Sequence, residues 1–171
     1  MLAAGATLVA ATTLVACGGG GGGGASAGTG TLRMALTDAP ACGWDNVWVT
    51  VDRVRVHTSS TAGDNDGGWS EIALGTPQRI DLLSLTNGVL FELGQTSLPA
   101  GQYTQVRLVL AGNTGANPLA NAVKPTGGTT VALDTPSGQQ SGLKLQANFS
   151  VAAGQMADLV LDFDACRSVV P

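Results

Sequence analysis

The segment LKLQANFSV (residues 143–151) decides the fold class of this chain. Apolar residues occupy every second position of the segment, and lysine, glutamine, asparagine and serine lie between them. A period of two puts each set on its own face of an extended strand, so the pattern predicts a half-buried β-strand. The same alternation returns over residues 157–163 after a turn at Ala153-Gly154, and we expect the two strands to form a hairpin.

Similar alternation recurs upstream of this pair. In residues 47–56 the apolar phase slips by one position after Val51, which predicts a β-bulge near Asp52-Arg53. Residues 83–93 predict a covered loop with one helical turn, and the composition of residues 58–68 is typical of an open loop. Further strands are predicted over residues 32–36, 69–74, 78–82, 103–110, 122–124 and 131–133.

The composition fits one domain of this kind. Of the 171 residues, 44% are hydrophobic and only 12% are charged, which is enough apolar side chain for a hydrophobic core. The 25 glycines interrupt the chain too often for it to be helical throughout. We therefore predict an all-β fold, a two-sheet sandwich of about seven or eight strands. The formal net charge is −4 and no basic block occurs, so nucleic acid is not an expected partner.

Two segments of the chain resemble each other. SLPAGQYTQVRLVL (residues 97–110) and SVAAGQMADLVLDF (residues 150–163) share serine, Ala-Gly-Gln and a later leucine at equal offsets. Both predict a strand, a glycine turn and a second strand. We interpret the similarity as one structural unit, a strand–turn–strand segment, that occurs twice in the chain.

The amino-terminal residues indicate export. Residues 2–16 form an apolar run that is too short to span a membrane but has the length of the apolar core of a signal peptide. The segment LVAC (residues 14–17) resembles the lipobox of bacterial lipoproteins, and the resemblance implies cleavage after residue 16 and lipidation of Cys17. The alternative is a plain secretory signal with an incidental cysteine.

A glycine-rich linker follows the lipidation site. Residues 17–30 have almost no side chains to pack, and as a flexible coil they would span roughly 20 Å. The predicted β-sandwich domain then covers residues 31–171. Two cysteines remain after lipidation, and in an oxidising compartment Cys42 and Cys166 predict a disulfide. A redox-active pair or a zinc site is the weaker interpretation, because the spacing is long and further ligands are scarce.

Several long segments resemble the bacterial lipoprotein family called domain of unknown function 4382. The resemblance covers residues 31–170 and is carried by LTDAP (36–40), VTVDRVRVH (49–57), IDLLSLTNGVLFELG (80–94), LPAGQYTQVRLVL (98–110), LDTPSGQQSGLKL (133–145) and LVLDFDACRSVV (159–170). It implies a sandwich of the transthyretin-like or immunoglobulin-like kind with no established activity, and it agrees with pairing of Cys42 and Cys166. It also implies a further strand beyond residues 168–170, which the present chain lacks.

No catalytic residue is predicted. His57 is the only histidine, and its place in a strand beside arginines predicts an exposed side chain without an acidic partner. The one match to the G-x-S-x-G motif of serine hydrolases, GASAG (residues 24–28), falls in the glycine-rich linker and not between a predicted strand and helix. We therefore expect a protein that is not an enzyme.

Calcium is one alternative ligand. A Cys42–Cys166 bond would draw four carboxylates toward one end of the sandwich, and hard oxygen ligands suit Ca²⁺. The candidate metal ligands are Asp38, Asp45, Asp162 and Asp164. Solvated aspartates at strand ends are the simpler interpretation. The segment at residues 64–67 begins like a calcium loop but carries Gly75 where an EF-hand needs a glutamate.

Carbohydrate is the other alternative. Trp44 and Trp48 are two of the few aromatic residues, and an exposed indole stacks well on a sugar ring. Gln140 and Ser141, in the polar loop over residues 135–142, would supply hydrogen bonds. A tryptophan covered by neighbouring structure and a loop that bonds to its own backbone are the simpler interpretations.

The leading hypothesis is a non-enzymatic, lipid-anchored lipoprotein of the bacterial cell envelope. It would sit in the outer membrane, facing the periplasm or the cell surface, with its β-sandwich as a binding or structural module for a glycan or an envelope protein. The alternative hypothesis is a calcium- or carbohydrate-binding module, or a metal-dependent enzyme, at the acidic end. The sequence leaves the oligomeric state open.

Overall fold

The computed structural model describes residues 28–38 and 43–169, apart from the side chain of Cys166. The described residues form two packed β-sheets, which confirms the predicted all-β sandwich. The smaller sheet contains β1 (Thr29–Asp38), β4 (Phe91–Pro99) and β9 (Met156–Phe163). The larger sheet contains β2 (Trp44–His57), β3 (Ser70–Asp81), β5 (Gly101–Leu110), β6 (Ala122–Pro125), β7 (Val131–Ala132) and β8 (Leu143–Val151).

Short helical segments connect the strands. One is the predicted helical turn, a 3₁₀ helix at Leu82–Leu85, in which Leu82 and Leu85 are buried against the core. The others are α1 (Pro136–Gln140), ahead of β8, and α2 (Ala165–Ser168), after β9.

The smaller sheet has the strand order β4-β1-β9. Strand β1 runs antiparallel to β4 and parallel to β9, with Leu32 opposite Thr96 on one side and Ala157 on the other. It begins at Thr29, because this residue and Gly30 already pair with β4. Strand β1 therefore begins two residues before residue 31, the predicted start of the β-sandwich domain.

The larger sheet has the order β7-β6-β2-β5-β8, and β3 also pairs with β2. The register of β2 shifts between Val51 and Arg53 against both β3 and β5, so the predicted bulge is confirmed. The two strands predicted over residues 69–74 and 78–82 are parts of the single strand β3, apart from Trp69 and Leu82, which lie just outside it. Strand β3 stays paired with β2 on both sides of the register shift between Val51 and Arg53, and Gly75, with a positive φ of 74°, lies in β3 at this point.

The core lies between the two sheets. The alternating side chains of β1 and β2 that the sequence assigned to one face are buried, because each strand presents that face to the opposite sheet. The fully buried set includes Leu32, Met34, Leu36, Val47, Val51, Val54 and Val56.

The predicted hairpin of residues 143–151 and 157–163 is wrong. Strand β8 pairs with β5 in the larger sheet, and β9 pairs with β1 in the smaller sheet. The turn at residues 152–155 carries the chain from one sheet to the other, so the apolar faces of β8 and β9 oppose each other across the sandwich. Both strands are sheet edges on the same side of the molecule.

The two Ala-Gly-Gln segments have the same structural role. The first joins β4 to β5 and the second joins β8 to β9, so each one crosses between the sheets. They also flank the start of β1: Ala100 donates its N–H to Gly28 O at 2.7 Å, and Gly154 donates to Thr29 O at 2.8 Å. We call this end of the sandwich, made of Gly28 with residues 99–102 and 152–156, the turn pole.

Several predictions lie outside the described residues. These are the signal peptide at residues 1–16, the lipidation of Cys17, most of the glycine linker, and the disulfide, which needs Cys42 and the side chain of Cys166.

Candidate ligand-binding cleft

A cleft of about 580 Å³ opens between the sheets at the end of the sandwich opposite the turn pole. Its floor and walls are apolar and come from β2, β5, β8 and β9. They include Val47, Val49, Leu110, Leu143, Leu145 and Phe163. Its rim is polar and comes from the segment around α1 and from α2. It includes Asp134, Thr135, Ser137, Ser141, Lys144 and Ser168.

The apolar floor follows from the positions of the edge strands. Leu143, Leu145 and Phe163 point into the sandwich but stay only half-buried, because no described strand lies between the edges β8 and β9 on this side. Val47 and Val49, on the central strand β2, are buried beneath them. The cleft is therefore a part of the hydrophobic core that is open to solvent.

Helix α1 forms one lip of the cleft. Pro136 occupies its first turn, where a missing N–H costs nothing. Gly138 packs against the core so closely that an added Cβ would lie 3.0 Å from a methyl carbon of Leu110. Gln139 folds back, and its Nε2 donates to Thr135 Oγ1 at 2.9 Å. The polar loop predicted from composition thus bonds largely to itself, and it does so as a packed helix.

A glycine links this helix to β8. Gly142 has a φ of +83°, and an added Cβ would lie 3.1 Å from both the Cβ of Arg107 and a methyl carbon of Val109. Only glycine fits this backbone conformation and this close approach to β5. The lip of the cleft is therefore fixed directly against the neighbouring strand.

Arg107 holds the same lip from the outer face of the sheet. Its side chain is only 5% exposed. It donates to Ser141 O at 3.1 Å and to Ala62 O at 2.7 Å, and it forms an ion pair with Asp64. One buried guanidinium thus joins the end of α1 to the loop over residues 58–69, which folds over the outer face of β5.

Polar and aromatic groups complete this buried cluster. The guanidinium of Arg107 lies 4.7 Å from the ring centre of Trp69, and that of Arg55 lies 4.6 Å from it. Gln105 is fully buried, and its amide oxygen is placed to accept from Arg107 Nε at 2.8 Å. Burial, with a contribution from the like charge of Arg55, lowers the pKa of Arg107 below its usual value. We call the set Arg107, Asp64, Gln105 and Trp69 the arginine cluster.

His57 is buried, which corrects the prediction of an exposed side chain. It is 8% exposed because the loop over residues 58–69 covers it. Its Nδ1 accepts from Ser59 N at 2.8 Å, and its Nε2 lies 2.9 Å from Gly67 O. The ring packs against Trp69 with centroids 4.9 Å apart. Both nitrogens therefore bond to the covering loop, so the ring fixes that loop in place.

The two predicted sugar-stacking tryptophans do not line the cleft. Trp48 lies between Val47 and Val49 and points to the other face of the sheet, where the guanidinium of Arg79 covers it at 4.5 Å from the ring centre. Trp44 is half-buried and packs against the core.

The two predicted polar ligands lie at or beside the cleft. Ser141 is on its rim and is half-buried, and Gln140 is the exposed last residue of α1. The structure therefore places one of the four predicted ligand-binding residues in the cleft and another beside it.

The four predicted metal ligands have separate partners or positions. Asp38 Oδ1 accepts from Ala165 N at 3.1 Å, and Asp164 caps the same short helix by accepting from Arg167 N at 3.1 Å. Asp45 pairs with Lys124 at 3.2 Å, and Asp162 is exposed on β9. Within residues 28–38 and 43–169, no three Asp, Glu, His or Cys side chains are grouped to hold a metal ion.

Asp64 and Asp66, at the start of the calcium-like segment, bond within the protein. Asp64 pairs with Arg107, and Asp66 accepts from Gly63 N at 2.8 Å. Both carboxylates therefore stabilise the loop over β5.

The most important residue that the sequence analysis missed is Arg107. Its alternation with Gln105 and Val109 assigns it to the outer face of β5, yet all three residues are buried. The available signal was the combination of an outward face bearing glutamine and valine with a long loop after the neighbouring strand. A polar loop of that length can cover such a face.

The described residues define an all-β sandwich with an apolar cleft between its sheets at one end. The chain belongs to the family described as Domain of unknown function (DUF4382), whose family model matches residues 29–171. No match was found among the curated proteins or the solved structures. None of the helices in the described part is long and apolar enough to cross a membrane.

Proposed function

We propose that this protein is a lipid-anchored lipoprotein of the bacterial cell envelope whose β-sandwich is a non-enzymatic binding module. The cleft is its binding site. The observation that carries the proposal is a cleft of about 580 Å³ with an apolar floor and a polar rim. Pockets for small molecules are typically about 300–1,000 Å³ and combine an apolar lining with a few polar groups.

The chemistry of the lining indicates the class of ligand. The apolar part of a ligand would cover Leu143, Leu145 and Phe163, whose side chains are half-buried. Removing their remaining apolar surface from water would stabilise the complex. A polar head would meet the hydroxyl-rich rim at Ser137 and Ser168. We therefore propose an amphipathic ligand, either a small molecule or the apolar part of a glycan conjugate or envelope protein.

The groups around the cleft favour binding over catalysis. The hydroxyl of Ser141 points to the backbone oxygens of Ser137 and Gly142, each at 3.4 Å. The ring nitrogens of His57 are engaged by the loop over residues 58–69, and His57 does not line the cleft. A nucleophile would need a base within hydrogen-bond reach, and the lining supplies no imidazole.

The envelope location rests on the sequence before the sandwich. The lipobox-like segment at residues 14–17 and the glycines after it precede strand β1, which begins at Thr29. We propose that Cys17 carries the lipid and that the mature protein is sorted to the outer membrane, facing the periplasm or the cell surface.

Dye binding tests the cleft. The fluorescence of 1-anilinonaphthalene-8-sulfonate should rise on binding the native protein and saturate at one site. Ser137→Trp, on the rim, should weaken that binding about tenfold by obstructing the cleft, since each 1.4 kcal/mol is a factor of ten. Thr129→Trp, on an exposed loop outside the cleft, is the matched control and should bind as the parent does. Equal affinity in all three proteins would refute the cleft as the site.

Metabolic labelling tests the anchor. Cells that express the full chain should incorporate an alkyne analogue of palmitate into the protein, and the Cys17→Ala variant should not. Label that persists in Cys17→Ala, or that never enters the parent protein, would refute lipidation at this residue.

A further inference from the structure

We propose that the turn pole faces the phospholipid headgroups of the anchoring membrane, so that the cleft opens away from it and takes its ligand from the aqueous compartment. This inference rests on the proposed lipid anchor at Cys17. It adds an interaction surface, a partner and a direction of ligand access.

The point at which the chain enters the sandwich is fixed. Gly28 O accepts from Ala100 N at 2.7 Å, and Thr31 N donates to Gln155 O at 2.8 Å. An added Cβ on Gly28 would lie 2.7 Å from the Cβ of Ala153, so the backbone is held tightly between the two turns. A membrane anchor placed before residue 28 therefore restrains the turn-pole end of the sandwich.

The cleft lies at the far end of the same strands. Strand β5 begins at Gly101 in the turn pole and ends at Leu110 in the cleft, and β9 runs from Met156 to Phe163 in the same direction. A strand of ten residues is about 33 Å long. The cleft is therefore about one full strand length farther from the tether than the turn pole is.

The tether has few residues: ten, residues 18–27, separate the proposed anchor at Cys17 from Gly28. A glycine-rich coil of that length would span roughly 20 Å, which is less than the length of a ten-residue strand. A lipid on Cys17 would hold the turn pole close to the bilayer while the cleft end stays farther out. The length of the chain between the anchor and Gly28 is thus the main argument for headgroups as the occupant of this surface.

The chemistry of the turns permits that approach. Residues 99–102 and 152–156 contain no charged side chain, and Met156 is 54% exposed. Small uncharged turns can approach headgroups without desolvating an ion, and an exposed methionine can pack among them. The opposite end carries Asp134 and Lys144 on the cleft rim and Asp162 nearby, and these charged groups favour water.

Fluorescence quenching in vesicles tests the orientation. The full lipidated chain is placed in phosphatidylethanolamine–phosphatidylglycerol vesicles that contain a lipid with a spin-labelled headgroup. A fluorophore is attached to Gln155→Cys in the turn pole or to Ser137→Cys on the cleft rim, both of which are exposed positions. The parent chain, treated in parallel, gives the background from its own cysteines.

The expected result is at least about threefold stronger quenching at position 155, because about 30 Å of strand separates the two ends. Equal quenching, or stronger quenching at position 137, would overturn the inference. A labelled, lipidated chain that never associates with vesicles would overturn the anchor itself. The dye titration of the cleft is a separate measurement, so an inverted molecule that still binds dye refutes only the orientation.

Discussion

The guanidinium of Arg107 donates a hydrogen bond of 3.1 Å to the carbonyl oxygen of Ser141. This bond connects the outer face of the larger sheet to the rim of the cleft, because the same side chain also holds Ala62 and Asp64 in the covering loop. The loop and the rim therefore share one buried support. A change that loosens the arginine cluster should loosen both.

We expect Arg107→Met to lose about 1–3 kcal/mol of unfolding free energy, because it leaves buried carbonyl acceptors without their donor. Urea unfolding followed by tryptophan fluorescence measures the loss. Arg33→Met is the matched control, since Arg33 pairs with Asp158 at the surface and exposed ion pairs contribute about 0–1 kcal/mol. Equal losses in the two variants would contradict the structural role of the arginine cluster.

A pair of glycines tests the close packing at the turn pole. In Gly30→Ala the new methyl group would overlap the carbonyl oxygen of Ala152 and press on Val151, so we expect a loss of about 1–3 kcal/mol. Gly101 has no neighbouring atom within 4 Å of an added Cβ, and Gly101→Ala should change stability by about 0.5 kcal/mol or less. Thermal or urea unfolding of both variants checks the contrast. A stable Gly30→Ala variant would mean that the turns do not clamp β1.

Tyr103 is the only tyrosine, so its titration can be followed directly by ultraviolet absorbance. It is 3% exposed, its hydroxyl donates to Pro99 O at 2.9 Å, and its ring stacks on Phe149. Burial raises the pKa of Tyr103 above its ordinary value of 10.0. The folded protein should therefore ionise at a higher pH than the urea-unfolded chain.

The same shift has a consequence for stability. Because the pKa of Tyr103 is raised in the folded state, its contribution to the free energy of unfolding is fully present below about pH 10. That contribution is lost as the pH rises through the pKa of the folded protein. Tyr103→Phe should cost about 1 kcal/mol near pH 7 through the lost hydrogen bond, and the difference from the parent should shrink above pH 10. A difference that does not depend on pH would contradict this assignment.

The Asp45 carboxylate gives a prediction in the acid range. A hydrogen bond from Lys124, opposed by desolvation and aided by the charge of Lys124, lowers the pKa of Asp45 below 3.8. Its contribution to stability is therefore present above the unfolded pKa and disappears as the pH falls through the folded pKa. Carbon-13 NMR titration should give a low pKa for Asp45 in the parent and a higher one in Lys124→Met. Equal pKa values in the two proteins would refute the pairing.

Local alternation was enough to predict which faces of the strands are buried. The buried positions Leu32, Met34 and Leu36 follow from a period of two, and the slip in β2 revealed the bulge after Val51. Both features depend on the pleat of a single strand. They were predictable because no distant partner changes which residues share a face.

The pairing of strands was harder to predict. The alternating faces of β8 and β9 fit a hairpin and facing sheets equally well, and only the competition with β5 and β1 decides between them. The arginine cluster escaped the sequence analysis for a similar reason. Arg107 is buried by a loop that contains Asp64, which lies 43 residues earlier in the sequence. A local sequence pattern does not predict a contact over that separation.

Within the described residues, the central strand of the smaller sheet, β1, comes first in the chain, and one of its two neighbours, β9, comes last. Arg33 and Asp158, which pair across this junction, lie 125 residues apart in sequence. Loop closure over such a distance is slow and entropically costly, so the larger sheet should assemble first. If the polypeptide is delivered amino terminus first, β1 can pair with β4 once residue 99 has emerged, but its other edge stays unpaired until nearly the whole polypeptide has emerged. The protein would then be most vulnerable to aggregation and to proteases in that interval.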